Sequence, residues 1–390
     1  MSLSMRERFV REAEPGINEV SPTRSKMRDY DLGLLSIIGV ILVLGLVMVY
    51  SSSIALTDGP SSEVVKFNRY FMMQAIYIFI GFCGMFTVFN INMDKWEELS
   101  FLFFGVAAVL LLLVLMPFIG REINGAKRWI PLGPVNFQPS EMMKMAMVLY
   151  ASRYAIRFRD AIGSLKPFEG FVCGVLPIAA LLGLALILTF LEPDLGASMV
   201  LASICVGVLF LGGLHSFYLA GLGLLGVGLV SAAVLFSSWR LKRLFAFLDP
   251  FSEEYAQSSG YQLVHSLIAI GRGEWTGVGL GFSIEKLHYL PEAHTDFILA
   301  VIGEELGFVG ILTVVILYFL LIFKCFKIGR VAIAMDRYYS GLVAQGVGIW
   351  IGFQALFNLC VCLGLLPTKG LTLPMISFGG SAMVMTLCAL

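Results

Sequence analysis

The sequence predicts an all-α, polytopic membrane protein with about ten transmembrane helices and one long extracytoplasmic loop. Of the 390 residues, 58% are hydrophobic and only 14% are charged, and the mean hydropathy is +0.86. An ordinary soluble domain has about 25% charged residues. The net charge of zero provides no basic field that would indicate nucleic-acid binding. All seven cysteines lie in or beside apolar runs, so we interpret them as small hydrophobic side chains rather than as disulfides or metal ligands.

Apolar runs close to the ~20 residues that a helix needs to cross a bilayer recur along the chain. They lie near residues 32–53, 70–90, 101–119, 140–156, 171–190, 195–212, 217–236, 297–323, 339–361 and 374–390. Charged residues interrupt the fourth run, and the sixth is short. With the N-terminus inside, the cytoplasmic segments hold fifteen Lys and Arg residues and the short outer loops hold six, a bias that predicts both termini in the cytoplasm. We therefore divide the chain into a cytoplasmic segment, 1–31, and a transmembrane domain, 32–390.

The connection between the seventh and eighth runs, residues 237–296, is predicted as a partly helical lid on the extracytoplasmic face. It is far longer than an ordinary connection between helices. Its many aromatic residues argue against disorder. Within it, Gln262 to Ile270 has the pattern of a short amphipathic helix that ends at Gly271.

Asp296 is the candidate catalytic residue, because it stands where a polar cluster meets the eighth apolar run. Glu292, His294 and Thr295 come just before it. A carboxylate partly withdrawn from water becomes more basic, so it could take a proton from a hydroxyl near neutral pH. The alternative is that Thr295 or Asp296 is only the N-cap of the eighth span.

Small residues follow Asp296 on one predicted helical face. At about 100° per residue, Ala300, Gly303 and Gly307 lie below the carboxylate on the same side of the helix. Such a face admits the close approach of a lipid tail or of another helix.

Glu141 and Lys144 lie one helical turn apart inside the fourth run, where ionisable residues are costly. Lys127 and Arg128 precede them in the connection before that run. One interpretation is a positive pocket for a diphosphate, since Arg matches phosphate oxygens with a fork of donors and Lys supplies a point charge. The other is an ion pair that only fixes two helices. Lys369, before the last run, is a second candidate for contact with an anion.

The turn Glu192-Pro193-Asp194-Leu195-Gly196 joins the fifth and sixth runs. Asp194 either caps the sixth span or lines a pocket.

Several of these segments resemble the SEDS family of cell-wall glycosyltransferases. LPEAHTDF at residues 290–297 and GEELGFVG at 303–310 look like the family signature, and RW, QPSE and EPDLG match further segments. KLHYLPEAHTDF, with Ala293, and TKGLTLPMISFGGS resemble the members that act in cell division more than those that act in elongation. The resemblance implies a peptidoglycan glycosyltransferase that polymerises lipid II into glycan strands for septal wall synthesis, with inversion at the anomeric carbon.

The resemblance also implies roles and partners. Asp296 matches the residue regarded as catalytic in the family. We assign substrate binding to eight further residues, namely Glu141, Lys144, Lys127, Arg128, Lys369, Glu292, His294 and Asp194. The expected location is the inner membrane of a bacterium, at the septum. The expected partners are a single-pass class B penicillin-binding transpeptidase and other divisome proteins. A divalent cation (Mg²⁺ or Mn²⁺) would help to neutralise the diphosphate, although no ligand set for it is legible.

Two other functions would use the same features. A transporter that flips lipid II across the bilayer would use Glu141 and Lys144 as part of its pathway. The polar groups gather at one face, however, and no repeat relates the two halves of the sequence. A non-catalytic scaffold that only recruits division proteins would leave Asp296 and Glu141 unexplained.

Overall fold

The computed structural model describes residues 30–54, 69–116, 118–123, 126–133 and 135–390. The predicted cytoplasmic segment 1–31 therefore lies outside the described residues except for its last two. Helices dominate the structure, which confirms the all-α polytopic class. Each of the ten predicted spans overlaps a helix, but the tenth, 374–390, is helical only over Gly380–Ala389. The helices are α1 (Leu32–Ser53), α2 (Arg69–Phe89), α3 (Met93–Leu115), α4 (Pro139–Arg157), α5 (Arg159–Gly163), α6 (Leu176–Leu191, preceded by a π-helical segment Pro167–Val175), α7 (Leu195–Leu211), α8 (Ser216–Leu235), α9 (Ser238–Leu248), α10 (Tyr261–Gly273), α11 (Ile298–Ala334), α12 (Tyr338–Cys362) and α13 (Gly380–Ala389).

Among the described residues, seven helices are long and apolar enough to cross a membrane. They are α1, α2, α3, the continuous helix Phe168–Leu191, α8, α11 and α12. Helices α7 and α13 are shorter apolar helices. The third helix begins at Met93, earlier than predicted, because the charged residues of its first two turns are helical although they lie outside the apolar run.

The helices differ sharply in how much surface they bury, as expected when lipid surrounds a central bundle. Helix α8 is almost entirely exposed, whereas most of α12 is buried. Met143, Lys144 and Met147 on α4 and Trp350 on α12 are among the largest fully buried side chains. Helices α4 and α12 therefore form the centre of the bundle and α8 lies at its edge.

A small antiparallel sheet, absent from the prediction, lies between α3 and α4. Its strands are β1 (Arg121–Ile123), β2 (Ala126–Leu132) and β3 (Val135–Phe137), in the order β1-β2-β3, with Trp129 opposite Arg121 and Ile130 opposite Phe137. The sheet fixes the position of Arg128, at the middle of β2.

The long connection 237–296 contains two helices instead of the one predicted. Helix α10 confirms the helix expected at 262–270 and is slightly longer at both ends. Helix α9, at the start of the connection, was missed. Helix α10 packs against the first turns of α11, so the connection is an ordered lid on one end of the bundle.

Helix α11 is broken at Gly307, whose φ of 68° and ψ of −162° are not helical. The break leaves two carbonyl groups, those of Glu304 and Glu305, without helical partners. Two amides of the segment 274–279 donate to these carbonyls, and two of its carbonyls accept from the amides just after the break, at N···O distances between 2.9 and 3.2 Å. The lid thus supplies partners for these two carbonyls and for the two amides just after the break, as backbone polar groups removed from water require.

The small-residue face below Asp296 is occupied by the lid. A Cβ added at Gly273 of α10 would overlap the carbonyl oxygen of Gly303, and Gly303 itself contacts Ile270. The expectation that another helix approaches this face is therefore confirmed for Gly303. Because the backbone is not helical at Gly307, this residue does not continue the helical face of Ala300 and Gly303. The predicted row of small residues is therefore shorter than the spacing of about 100° per residue suggested.

Candidate active site

Asp296 lies at the end of the bundle that carries the lid, immediately before α11. The side-chain amide of Asn358 donates to the backbone carbonyl of Asp296 at 2.7 Å and to that of Leu371 at 2.6 Å. The side chain of Asp296 faces Gly370, where a Cβ would lie only 2.9 Å from Oδ2. Helix α12 and the connection that follows it therefore fix the position of the carboxylate.

The N-cap interpretation of Asp296 and Thr295 is wrong. Phe297 occupies the N-cap position of α11, and no side chain caps the helix. The hydroxyl of Thr295 donates instead to Glu292 Oε2 at 2.7 Å. Within the described part of the chain, no hydrogen bond to the Asp296 carboxylate occurs, so its oxygens are available to a substrate hydroxyl.

The environment makes Asp296 a stronger base than an ordinary aspartate. Burial, together with the carboxylates of Glu292 and Asp194, raises the pKa of Asp296 to about 7, while Arg128 and Arg243 act in the opposite sense. The side chain nevertheless keeps part of its surface accessible. A partly accessible carboxyl whose pKa lies near neutral pH has the protonation balance required of a general base.

His294 packs among aromatic rings beside Asp296. Its ring lies 4.6 Å from that of Tyr70 and 5.8 Å from that of Phe378, centroid to centroid. The amide of Phe378 donates to the His294 carbonyl at 2.9 Å. Burial lowers the pKa of His294, although Glu292 opposes this effect, so the imidazole is neutral at pH 7 and screens one side of the site.

Arg128 and Asp194 meet at the turn between α6 and α7. Arg128 donates from Nε to the carbonyl of Glu192 at 2.9 Å and from Nη2 to the carbonyl of Pro193 at 2.6 Å. Its Nη1 lies 4.0 Å from Asp194 Oδ2. Asp194 Oδ1 accepts from the amide of Ala197 at 3.0 Å, so the capping interpretation of Asp194 is confirmed. The guanidinium of Arg128 is largely engaged in holding this turn beside Asp296.

Glu192, in the same turn, is a buried carboxyl that the sequence analysis did not single out as a site residue. It is fully buried, and neither side-chain oxygen has a hydrogen-bond partner among the described residues. Burial raises its pKa to about 9, and Asp194 acts in the same direction. Glu192 is therefore neutral at pH 7 and adds no charge to the site.

Glu141 and Lys144 form a buried ion pair within α4, on the side that faces α12. The Lys144 Nζ lies 2.8 Å from Glu141 Oε1 and donates at 3.0 Å to Gln354 Oε1 on α12. It also lies 5.6 Å above the ring of Trp350. Gln354 is one helical turn from Asn358, so the pair lies below the floor of the Asp296 site. Only 1% of Lys144 is exposed, and its ammonium faces protein groups.

Two further predicted cations lie on different elements of the fold. Lys127 is half-buried on β2, opposite Glu122 in the strand register. Lys369 is half-buried in the connection between α12 and α13. Burial, together with the positive charges of Arg243 and Arg240, lowers the pKa of Lys369 to about 8.

Arg240 and Arg243 were missed as site residues. Arg243 Nη1 donates to the carbonyl of Thr368 at 3.4 Å, next to Lys369. The signal in the sequence was their spacing of three residues, which puts both on one face of a helix. Because α9 was not predicted, the spacing of Arg240 and Arg243 could not be interpreted as a shared helical face.

The described residues contain no group of three or more His, Cys, Asp or Glu side chains that could hold a metal ion. The side chains present do not make a ligand set for the divalent cation considered above. We therefore derive no step through such a cation.

Comparisons with known proteins agree with this architecture. Residues 32–390 match the model of the FTSW_RODA_SPOVE family, described as "Cell cycle protein". A relative from Burkholderia thailandensis, named "Probable peptidoglycan glycosyltransferase FtsW", is 50% identical over 374 residues, which cover 96% of this chain and 80% of the relative. A relative of the same name from Taylorella equigenitalis is 54% identical over 348 residues, 89% of this chain and 92% of the relative.

Solved structures show the same fold. A structure described as "Structural coordination of polymerization and crosslinking by a peptidoglycan synthase complex" aligns with a TM-score of 0.71 and 30% identity, over 93% of this chain and 96% of that one. The rod shape determining protein RodA of Thermus thermophilus aligns with a TM-score of 0.66 and 27% identity, over 93% and 95% of the two chains. The family match spans every described helix, and the relatives named FtsW confirm the predicted resemblance to the division members. The chain belongs to the FtsW/RodA/SpoVE family of multi-pass membrane proteins.

Proposed function

We propose that this chain is a peptidoglycan glycosyltransferase that polymerises lipid II into glycan strands for septal wall synthesis. The names of its FtsW relatives support the activity and the septal role. The observation that carries the proposal is the Asp296 carboxyl, which is partly accessible and has its pKa raised to about 7 by burial. A carboxyl in that state can accept a proton from a sugar hydroxyl at physiological pH.

In the proposed reaction, Asp296 takes the proton from the acceptor sugar hydroxyl. The oxygen then attacks the anomeric carbon of the lipid-linked strand, and the bond from that carbon to the diphosphate oxygen breaks. The polyprenyl diphosphate leaves with the electron pair of that bond. A single displacement with one base and no protein nucleophile inverts the anomeric carbon, by extension of the rule for glycoside hydrolysis.

The surrounding residues tune and support the base. Glu292 and Asp194 keep the pKa of Asp296 high through their negative charge, and His294 screens one side of the site. Arg128 holds the turn that carries Asp194.

The cations have two roles in this proposal. The ion pair of Glu141 and Lys144 supports the floor of the site by joining α4 to α12. Lys127 and Lys369 contact the anionic part of the substrate, because each is half-buried at the end of the bundle where Asp296 lies.

The proposed setting is the bacterial cytoplasmic membrane at the division septum. Both termini face the cytoplasm, and the lid at 237–296 faces outward, in agreement with the distribution of Lys and Arg. The proposed partner is a single-pass class B penicillin-binding transpeptidase that cross-links the strands, within a larger divisome. The similarity to a chain from a solved peptidoglycan synthase complex supports such a partner.

The test is glycan synthesis by the purified protein, with and without the transpeptidase, from lipid II. We expect polymer from the wild type and from Asp249→Asn, an exposed acid in the lid, and none from Asp296→Asn. Transport of lipid II across the membrane of proteoliposomes without polymer formation would contradict the enzyme proposal and favour a transporter. If the protein is needed for division but has neither activity, the scaffold interpretation would be favoured.

A further inference from the structure

The lid contains a segment whose polarity is the reverse of that of a surface in water. Residues 274–287, which run from the end of α10 back toward α11, form this return segment. Its Leu280, Phe282 and Ile284 are 52%, 71% and 44% exposed. Ser283, which lies between two of them, is only 3% exposed. A contiguous exposed apolar face marks contact with a membrane or with another protein. The return segment therefore turns apolar side chains outward and keeps polar ones inside.

Polar groups of the return segment are bound within the protein. The carboxylate of Glu304, fully buried on α11, accepts from Arg272 Nη1 at 2.7 Å and from the amide of Ile284 at 3.0 Å. Lys286 Nζ donates to Glu305 Oε1 at 2.6 Å. Backbone that is not helical lies at membrane depth only where protein or water provides partners for its polar groups. Together with the hydrogen bonds at the break in α11, these contacts provide such partners.

Helices α1 and α11 show how deep the return segment lies in the membrane. At the end of the bundle opposite the lid, Lys324 of α11 and Asp31 before α1 form a partly exposed ion pair at 3.0 Å. Because charged groups are costly inside hydrocarbon, this pair marks one boundary of the membrane core, which is about 30 Å thick. At about 1.5 Å per residue, Phe308 lies roughly 24 Å above Lys324. By the same measure, Ser51 lies roughly 30 Å above Asp31. Helix tilt reduces both heights, so Phe308 is within the core and Ser51 is at its far boundary.

The return segment contacts both Phe308 and Ser51. The amide of Phe308 donates to the carbonyl of Glu274 at 2.9 Å, and the rings of Phe308 and Trp275 lie 5.4 Å apart. Lys286 Nζ donates to the hydroxyl of Ser51 at 3.0 Å. Trp275 and Phe308 are 72% and 49% exposed, and they continue the exposed apolar face of α11. The return segment therefore lies at the depth of the outer part of the hydrocarbon core.

We propose that the return segment of the lid is inserted between the lipids of one leaflet, with Trp275 and the apolar side chains of 280–284 among the acyl chains. A soluble protein domain fits this surface less well, because residues 275–284 contain no ionisable side chain to match the polar rim of a protein interface. Insertion ties the lid, and the segment that leads from it to the candidate base, to the bilayer. The inference depends on the proposed function only for the identity of the leaflet, which is the extracytoplasmic one in the proposed orientation.

The test uses the full-length protein reconstituted into vesicles of brominated phosphatidylcholine, because bromine on an acyl chain quenches the fluorescence only of tryptophans that it contacts. The difference between the emission of the wild type and that of Trp275→Phe isolates the Trp275 signal. We expect this signal to lose most of its intensity in lipids brominated near the headgroup, and less in lipids brominated near the chain end. The Trp350 signal, obtained in the same way from Trp350→Phe, is the control and should not change, because Trp350 is 1% exposed. Melting temperatures show whether both variants are folded.

Photolabelling extends the test along the return segment. A phosphatidylcholine with a diazirine on its acyl chain should label residues 280–284, as located by mass spectrometry. It should not label residues 252–258, a stretch of the lid in which Glu253 and Glu254 are exposed. A Trp275 signal that bromine leaves unchanged would overturn the inference, and so would equal labelling of the two stretches. If only an added transpeptidase changed the Trp275 signal, the face would be a protein-binding surface instead. Neither measurement requires glycan synthesis, so failure of this inference is distinguishable from failure of the proposed function.

Discussion

Replacing Asp296 by Asn is expected to stabilise the protein above pH 7 while abolishing glycan synthesis. Burial raises the pKa of Asp296 from an ordinary 3.8 to about 7. At about 1.4 kcal/mol per pH unit, this difference corresponds to roughly 4 kcal/mol of cost for holding the ionised carboxylate in the folded state. The partial exposure of the side chain reduces this figure by solvent screening, so we expect a gain on the order of 1–4 kcal/mol in the Asn variant.

The sign of the effect depends on pH. Because the folded-state pKa is above the unfolded one, the cost is complete above pH ~7, decreases between about 7 and 4, and is absent below about 4. The apparent melting temperature of Asp296→Asn should therefore exceed that of the wild type by several degrees at about pH 8, and the difference should shrink at about pH 5.

Thermal unfolding of both proteins in the same detergent at the two pH values is the assay. Asp249→Asn is the matched control, because Asp249 is an exposed acid in the lid, and its substitution should leave the melting temperature unchanged. A melting temperature of Asp296→Asn at or below that of the wild type at the higher pH would refute this reasoning. It would show that the ionised Asp296 carboxylate stabilises the fold through a contact, and that burial does not raise its pKa.

Two further predictions concern packing. Gly273→Ala should lower the apparent melting temperature, because its Cβ would overlap the carbonyl of Gly303. Gly271→Ala is the control: its Cβ would meet no atom within 4 Å, so the melting temperature should stay unchanged or rise. Equal effects of the two substitutions in thermal unfolding would contradict the tight contact between the lid and α11. Lys144→Met alone should destabilise the folded protein by about 3–5 kcal/mol, because it leaves Glu141 buried and unpaired. The double substitution of Glu141→Leu with Lys144→Met should recover much of this loss. A double variant that is no more stable than the single one would argue against an ion pair that acts as a unit.

The spans could be predicted from sequence because each is a long apolar run, and lipid leaves few alternatives to a helix. Asp194 as an N-cap and Glu141 with Lys144 as a pair followed from local spacing, since both contacts lie within one helical turn. The sequence also predicted that Asp296 lies near the lid end of the bundle.

The features that were missed depend on contacts between distant segments or on short elements. The small sheet joins strands of three to seven residues, although Asn124 and Gly125, between β1 and β2, are a dipeptide typical of tight hairpins. The break at Gly307 is stable only because the segment 274–279 replaces its hydrogen bonds, which no local pattern reveals. The role of Arg243 required knowing that α9 folds back against Thr368.

The pH dependence of glycan synthesis tests most directly whether Asp296 is the base. With purified protein and saturating lipid II, the rate should fall about tenfold per pH unit below a midpoint near 7, where the pKa of Asp296 lies. Glu292→Gln should move that midpoint to lower pH, because the Glu292 charge helps to raise the pKa of Asp296. A rate that stays constant as the pH falls through about 7 and 6, or a midpoint that does not move in Glu292→Gln, would contradict the assignment.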